Sequence, residues 1–314
     1  MQIFYDGGLT AAWPTFAVWL SIAGCCLGCI SGCDRPLPKH LNIIDLKLVG
    51  FGRRWQPTDL FQDPQVVALA VAIKKGDLKK IDELLDSGVD VNAQGKDDIT
   101  PLGWALMIKN KAAFRRLLER GADPNQKILK FGTGALTVTD IVARDETDSQ
   151  WLELVLKHGG DPNVATTDDR DTPIVSVIYY CSIGPGKDKN LELLIKAGAD
   201  LNHQDVEGWT PLMRAMMHNA YDIAYRFLQA GADYRIKDNQ GRDLAYDLIT
   251  ADFELGRDGQ MWRERLIDFL EEKGCDFGPA EALAAVKDPA ALARWEQHKK
   301  ERAAKKNNVA PPKP

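Results

Sequence analysis

A Gly-x-Asp step, usually extended to x-Asn, recurs six times in this chain, and a repeat of that length constrains its fold more than any other feature. It reads Gly88-Val-Asp-Val-Asn92, Gly121-Ala-Asp-Pro-Asn125, Gly159-Gly-Asp-Pro-Asn163 and Gly198-Ala-Asp-Leu-Asn202, then Gly231-Ala-Asp233 and Gly274-Cys-Asp276. The glycines stand 33, 38, 39, 33 and 43 residues apart, each after an apolar, helix-like stretch. A unit of that size cannot bury its apolar face alone. The units must therefore stack, and the stack is the core.

A second signature accompanies the first. Thr100-Pro101-Leu102 and Thr210-Pro211-Leu212 each lie 21 residues before a Gly-x-Asp glycine, and Thr172-Pro173-Ile174 lies 26 before one, an insertion stretching that unit. Proline opens a helix readily, because its missing N–H has no partner there. Glycine ends the second helix in the left-handed region, and Asp and Asn shape the turn that follows. One unit is helix, turn, helix, hairpin.

These motifs resemble the ankyrin repeat. The resemblance implies an all-α, ankyrin-repeat solenoid of about six helix-turn-helix-hairpin units over residues 63–277, with degenerate terminal repeats. The units run 63–94, 95–126, 127–164, 165–203, 204–236 and 237–277. In the third, Leu136-Thr-Val-Thr-Asp-Ile141 stands where Thr-Pro-Leu-His is usual. No unit keeps that histidine; Gly103, Val175 and Met213 occupy its place. In the family it bridges neighbouring repeats, so these interfaces are expected to rest more on packing, with modest stability.

Other pieces flank the array. Residues 34–62 form an irregular lead with some apolar content, including Leu46, Phe51 and Trp55. Residues 278–306 read as a C-terminal helical cap that Pro289 must break or kink, with Leu283, Val286, Leu292 and Trp295 facing the last repeat. Residues 307–314 are expected to be disordered. The net charge of -5 is too mild to point to nucleic acid. It is uneven, since eight Lys/Arg against four Asp/Glu in 278–314 leave -9 on residues 1–277.

Residues 7–33 carry no charge. The run Phe16–Gly24 resembles the apolar region of a secretory signal, although the only early charge is Asp6. Ile22-Ala23-Gly24-Cys25 and Ile30-Ser31-Gly32-Cys33 both resemble the bacterial lipobox. Cys33 is the preferred lipidation site because the polar Asp34-Arg35-Pro36 follows at once; Cys25 is the alternative. Residues 1–33 thus read as a lipoprotein signal, placing the array on the periplasmic side of the cell envelope. A membrane anchor with a cytoplasmic array is the other reading, since 27 uncharged residues span a bilayer and the following flank is basic. Cys26-Leu-Gly-Cys29 has CxxC spacing, but its neighbours are apolar and no second pair follows, so no metal site is expected.

No catalytic constellation emerges. The histidines His40, His158, His203, His218 and His298 are scattered, and neither a nucleophile motif nor a phosphate loop is present. No enzyme activity and no cofactor are expected. In ankyrin proteins the ligand meets the hairpin tips and the exposed part of each first helix. Carried over, this gives Lys96, Asp97, Ile99, Met107 and Ile108 in the second unit. The fourth gives Asp168, Asp169, Asp171, Tyr179 and Tyr180, and the fifth Val206, Glu207, Trp209, Met217 and His218. Trp209 is the cleanest anchor, the matching family position being surface-exposed, whereas Trp104 belongs to the core. Arg170 stands where the family has glycine, which puts that hairpin's geometry in question. Insertions at Lys127–Gly134, Ser182–Asn190 and Ala251–Gln260 add surface. The array with its lipobox resembles bacterial ankyrin-repeat lipoproteins, some of which neutralise lipase or phospholipase effectors delivered by type VI secretion. That resemblance implies a protein partner, a toxic phospholipase effector, and an immunity role. A generic scaffold or a regulator of an envelope enzyme is the alternative.

Overall fold

The computed structural model describes residues 55–131, 134–145, 148–165, 170–181, 189–251 and 256–308. These contain fifteen α-helices and one two-stranded sheet. A short α1 (Pro57–Leu60) leads into six pairs: α2 (Pro64–Lys75) with α3 (Leu78–Asp86), α4 (Pro101–Met107) with α5 (Lys111–Glu119), α6 (Val138–Ala143) with α7 (Gln150–Lys157), α8 (Pro173–Cys181) with α9 (Lys189–Lys196), α10 (Pro211–Met217) with α11 (Tyr221–Gln229), and α12 (Leu244–Thr250) with α13 (Arg257–Glu272). First helices pack on first helices (α2 on α4, then α6 to α12 in order), and second helices on second helices (α3 to α9 in order, then α11 on α13). The second helices are amphipathic. In α5, Ala113, Phe114, Leu117 and Leu118 are buried, while the intervening charges face outward. No helix among the described residues is long and apolar enough to cross a membrane, and the apolar segment with Cys25 and Cys33 lies outside them.

Local chemistry sets the helix starts. Thr100 Oγ1 accepts from the Gly103 N–H (3.1 Å), Thr137 Oγ1 from Asp140 (3.2 Å) and Thr210 Oγ1 from Met213 (3.3 Å). Each such cap contributes about 1 kcal/mol. Thr137 therefore does for the third unit what the Thr-Pro-Leu threonine does elsewhere.

Beside the packing expected of these interfaces, the turns carry a set of hydrogen bonds between units. The Asp of each Gly-x-Asp-x-Asn caps its own turn: Asp90, Asp123, Asp161 and Asp200 each accept from the N–H two residues on, at 2.8 to 2.9 Å. The Asn reaches into the next unit. Asn92, Asn125, Asn163 and Asn202 accept from the N–H of Asp123, Asp161, Asp200 and Asp233, at 2.6 to 2.8 Å. The first three also donate to the carbonyls of Gly121, Gly159 and Gly198. This asparagine ladder supplies cross-repeat bonds at the turns, a different place from the helix position where the family has its histidine. It ends at Arg235, which turns back onto Asp233.

The third unit's insertion becomes an antiparallel hairpin, β1 (Lys127–Phe131) with β2 (Gly134–Thr137), which pairs Ile128 with Leu136 and buries Ile128 beside Gly103. Of the last insertion, the part from Arg257 onward is the first turn of α13 rather than loop. The second insertion is described only at its end, where buried Asn190 donates to the carbonyls of Ala143 and Asp145, both at 3.0 Å. Beyond the array, α14 (Gly278–Lys287) stacks on α12, and α15 (Pro289–Asn308) packs on both of them, the break falling at Asp288-Pro289. They form a seventh helix pair without a hairpin.

Candidate protein-binding face

The candidate face comprises the hairpin tips and the first helices. In the second unit Lys96 and Asp97 are exposed on the helical turn Lys96–Asp98, with the Lys96 ammonium 4.9 Å over the Trp55 ring. Ile99 is not surface. It is 1% exposed, and a Cβ on Gly103 would come within 2.8 Å of its Cδ1. The cause is local: the residue before the cap threonine turns inward here, onto Gly103 and Ile128. Met107 and Ile108 are half-buried against the core.

In the fourth unit Asp171 is half-buried. Asp168 and Asp169, and the side chains of Tyr179 and Tyr180, lie outside the described residues. Arg170 is the first described residue after 165 in its hairpin. With φ 62° it takes the left-handed conformation that Gly208 (80°) and Gly241 (77°) hold at the same register, and His203 Nε2 donates to its carbonyl at 2.9 Å.

In the fifth unit Val206 (45%) and Met217 (51%) are exposed apolar side chains, and Glu207 is exposed beside them. His218 is half-buried, and burial, seconded by the Arg214 charge, lowers its pKa below the ordinary histidine range. Trp209 corrects the sequence expectation, because it is half-buried and held on three sides. Its Nε1 donates to Asp238 Oδ2 at 3.0 Å, and the guanidiniums of Arg214 and Arg242 lie 4.3 and 5.6 Å from its ring.

Sequence reasoning missed the residues that hold it. Buried Asp205 accepts from the N–H groups of Glu207 (2.9 Å) and Trp209 (2.8 Å), and through Oδ2 from Arg214 Nε (2.8 Å) and Nη2 (2.5 Å). One unit later Asp238 takes the N–H groups of Gln240 and Arg242 and the Arg242 guanidinium. Burial opposes its charge, but those bonds win and hold its pKa below the usual carboxylate value. The 33-residue spacing of Asp205 and Asp238 was the available signal. The two hairpins are then zipped: Asn239 N–H donates to Glu207 O (3.1 Å), Asn239 Nδ2 to Val206 O (2.9 Å), and Gln204 Nε2 to Lys237 O (3.0 Å). The approach is close enough that a Cβ on Gly208 would meet Asn239 N at 2.8 Å.

Two other clusters were also not anticipated. Asp140, fully buried, pairs with Arg144 of its own unit (2.7 Å) and accepts from Ser176 Oγ (2.9 Å), a hydrogen bond that joins units three and four. On the outer helices Tyr225 lies 5.7 Å from Trp262 and 6.0 Å from Phe269, all half-buried. Among the described residues no group of His, Cys, Asp and Glu is placed to hold a metal.

Family models of ankyrin repeats match residues 69–118 and 141–238. An ankyrin repeat protein of fowlpox virus is 34% identical over 162 residues, covering 49% of this chain and 45% of its own length. Protein PhlB of Serratia liquefaciens is 31% identical over 153 residues, 49% of this chain and 63% of that protein. The elephant (Loxodonta africana) ankyrin repeat, SAM and basic leucine zipper domain-containing protein 1 is 35% identical over 94 residues, 30% of this chain and 20% of that one. The chain thus spans less than two thirds of each of these relatives. In solved structures the backbone is similar to an ankyrin repeat domain from Acinetobacter baumannii (TM-score 0.51, 23% identity, 63% of this chain and 95% of that one). It is also similar to the ankyrin repeat domain of Bcl-3 (TM-score 0.52, 19% identity, 67% and 86%). With the repeat models matching both halves of the array and the backbone following two such domains, the stacked helix pairs are an ankyrin-repeat domain.

Proposed function

We propose that the chain is a non-enzymatic protein-binding module held at a bacterial membrane, an immunity or inhibitor protein that blocks a toxic secreted effector of phospholipase type. Ankyrin repeats imply a protein partner, and such domains are generally non-catalytic. The observation that carries the binding reading is the zipped platform of units five and six, which presents Val206, Glu207 and Met217 on already ordered backbone. Groups fixed before association lose little further freedom on binding. Similarity to a Serratia protein over 63% of its length supports a bacterial setting. The uncharged run ending in Cys33, with Cys25 as the alternative acceptor, supports a lipid anchor facing the periplasm. An anchored blocker stands where a lipolytic effector meets its substrate.

Two measurements test this. Alkyne-palmitate labelling of the full chain should be abolished by Cys33→Ser, or failing that by Cys25→Ser; no label on any of the four N-terminal cysteines removes the anchor. The partner copurified from the native host should hydrolyse phospholipid vesicles and lose that activity when the purified chain is added. A partner without lipolytic activity replaces the effector assignment with a scaffold or a regulator of an envelope enzyme.

A further inference from the structure

Resting on the reading of the chain as protein-binding, we infer that the groove across the hairpin tips of units four to six takes an extended segment of the partner and reads its main chain rather than its side chains. The groove encloses about 440 Å³, and Asn202, Gln204 and Asn239 line it together with Arg170, Asp205 and Val206. Each of the three carboxamides is tied down at one end. Asn202 Oδ1 accepts from the Asp233 N–H (2.8 Å), Gln204 Nε2 donates to Gly208 O (2.7 Å) and Lys237 O (3.0 Å), and Asn239 Nδ2 donates to Val206 O (2.9 Å). A planar amide fixed at one end holds the other in a set direction.

The ends left over are one donor, the Asn202 NH2, and two acceptors, Gln204 Oε1 and Asn239 Oδ1, none with a partner among the described residues. Asn202 departs here from the ladder, since Asn92, Asn125 and Asn163 all spend their NH2 on a glycine carbonyl of the next unit. Asp205 adds no free charge, because its oxygens are taken up by two backbone N–H groups and Arg214. Oriented neutral donors and acceptors match the N–H and C=O groups that an extended chain presents along its length. A helix has already paired those groups internally, and a nucleic acid would call for a cationic lining.

The test is selection of a phage-displayed library of linear heptapeptides on the full chain. Enriched peptides should lose at least tenfold in affinity when single peptide nitrogens are methylated, and less than threefold when the same positions become alanine. Asn202→Asp keeps an oxygen for the Asp233 N–H but removes the NH2. It should melt like the parent and bind these peptides at least tenfold more weakly. Enrichment of no peptide, the reverse pattern of methyl and alanine effects, or unchanged binding by Asn202→Asp overturns the inference. Those failures leave a partner copurified from the host in place, whereas failure of the protein-binding reading leaves the parent chain with no partner at all.

Discussion

Trp209 shows how one register position serves different ends. Its counterpart in unit two, Ile99, is core, whereas Trp209 sits at the edge of the stack between Arg214 and Arg242 and bonds Asp238 of the next hairpin. Trp209→Ala therefore removes packing as well as a cross-repeat bond. It should cost about 2–3 kcal/mol in urea denaturation, below the roughly 3–5 kcal/mol of a fully buried large aromatic because the ring is only half-buried. Trp209→Phe, which keeps the ring but not the N–H, should cost about 1 kcal/mol. Equal stability of the alanine variant and the parent would make Trp209 a pure surface anchor after all. A second residue makes stability depend on pH. Asp247 stands in unit six where unit five has Arg214, and burial pushes its carboxyl up to about 7, with Arg242 opposing and Asp238 and Asp243 adding to the rise. The unfolded carboxyl titrates near 4. Between about 4 and 7 the native chain therefore binds the extra proton, and stability falls as pH rises through that window. Asp247→Asn should be more stable than the parent at pH 8, the gap closing by pH 4 to 5. Parallel stability curves across that range would show that Asp247 is ionised in the fold.

At the scale of elements, the units, their order and their glycine-ended helices were legible because each depends on residues close in sequence. The asparagine ladder was half legible: Asn recurs at one register, but its bonds run to residues 29 to 37 positions away. At Arg170 left-handed backbone favours glycine without requiring it, and His203 of the next unit bonds the arginine's carbonyl. The seventh helix pair carries neither signature, since Phe277-Gly278-Pro279 follows the last Gly-x-Asp at once and leaves no room for a hairpin. The ladder itself is testable. Asn125 accepts from Asp161 N–H (2.7 Å) and Thr139 Oγ1 (3.2 Å) and donates to Gly159 O (2.8 Å), so Asn125→Ala strips three bonds from the junction of units two and three. At about 0.5–1.5 kcal/mol per bond, discounted for exposure, the loss should be about 1–2 kcal/mol. Amide exchange should accelerate first around Gly159–Asn163. A change spread evenly over the chain, or none, would reduce the ladder to a by-product of packing.

At the scale of the whole array the described helices pack mainly on those of adjacent units, so an end must be closed by something that does not itself need another unit. The C-terminal pair does this with charge as well as packing. Trp295 is buried against Phe277 and its Nε1 donates to Glu281 (2.7 Å), while Arg302 engages Glu264, Asp268 (2.7 Å) and Glu271 (3.2 Å) of α13. Burial works against the charge on Glu264, but His298 and Arg302 hold its pKa down to about 2. Without α15, Glu264, Asp268 and Glu271 would repel one another on one helical face, at the spacing where like charges destabilise a helix. Truncation after Phe277 should thus unravel α13 and α12 and weaken unit five, while units one to three keep their amide protection, because in a one-dimensional stack the loss decays with each interface. High salt should partly restore α13 in the truncated chain by screening its carboxylates. Arg302→Ala in the full chain should show a weaker form of the same gradient, confined to α13 and α15. If truncation lowers protection equally from the first unit to the sixth, the array folds as one cooperative body and its end pair is no cap. If protection stays level throughout, the pair is ornamental.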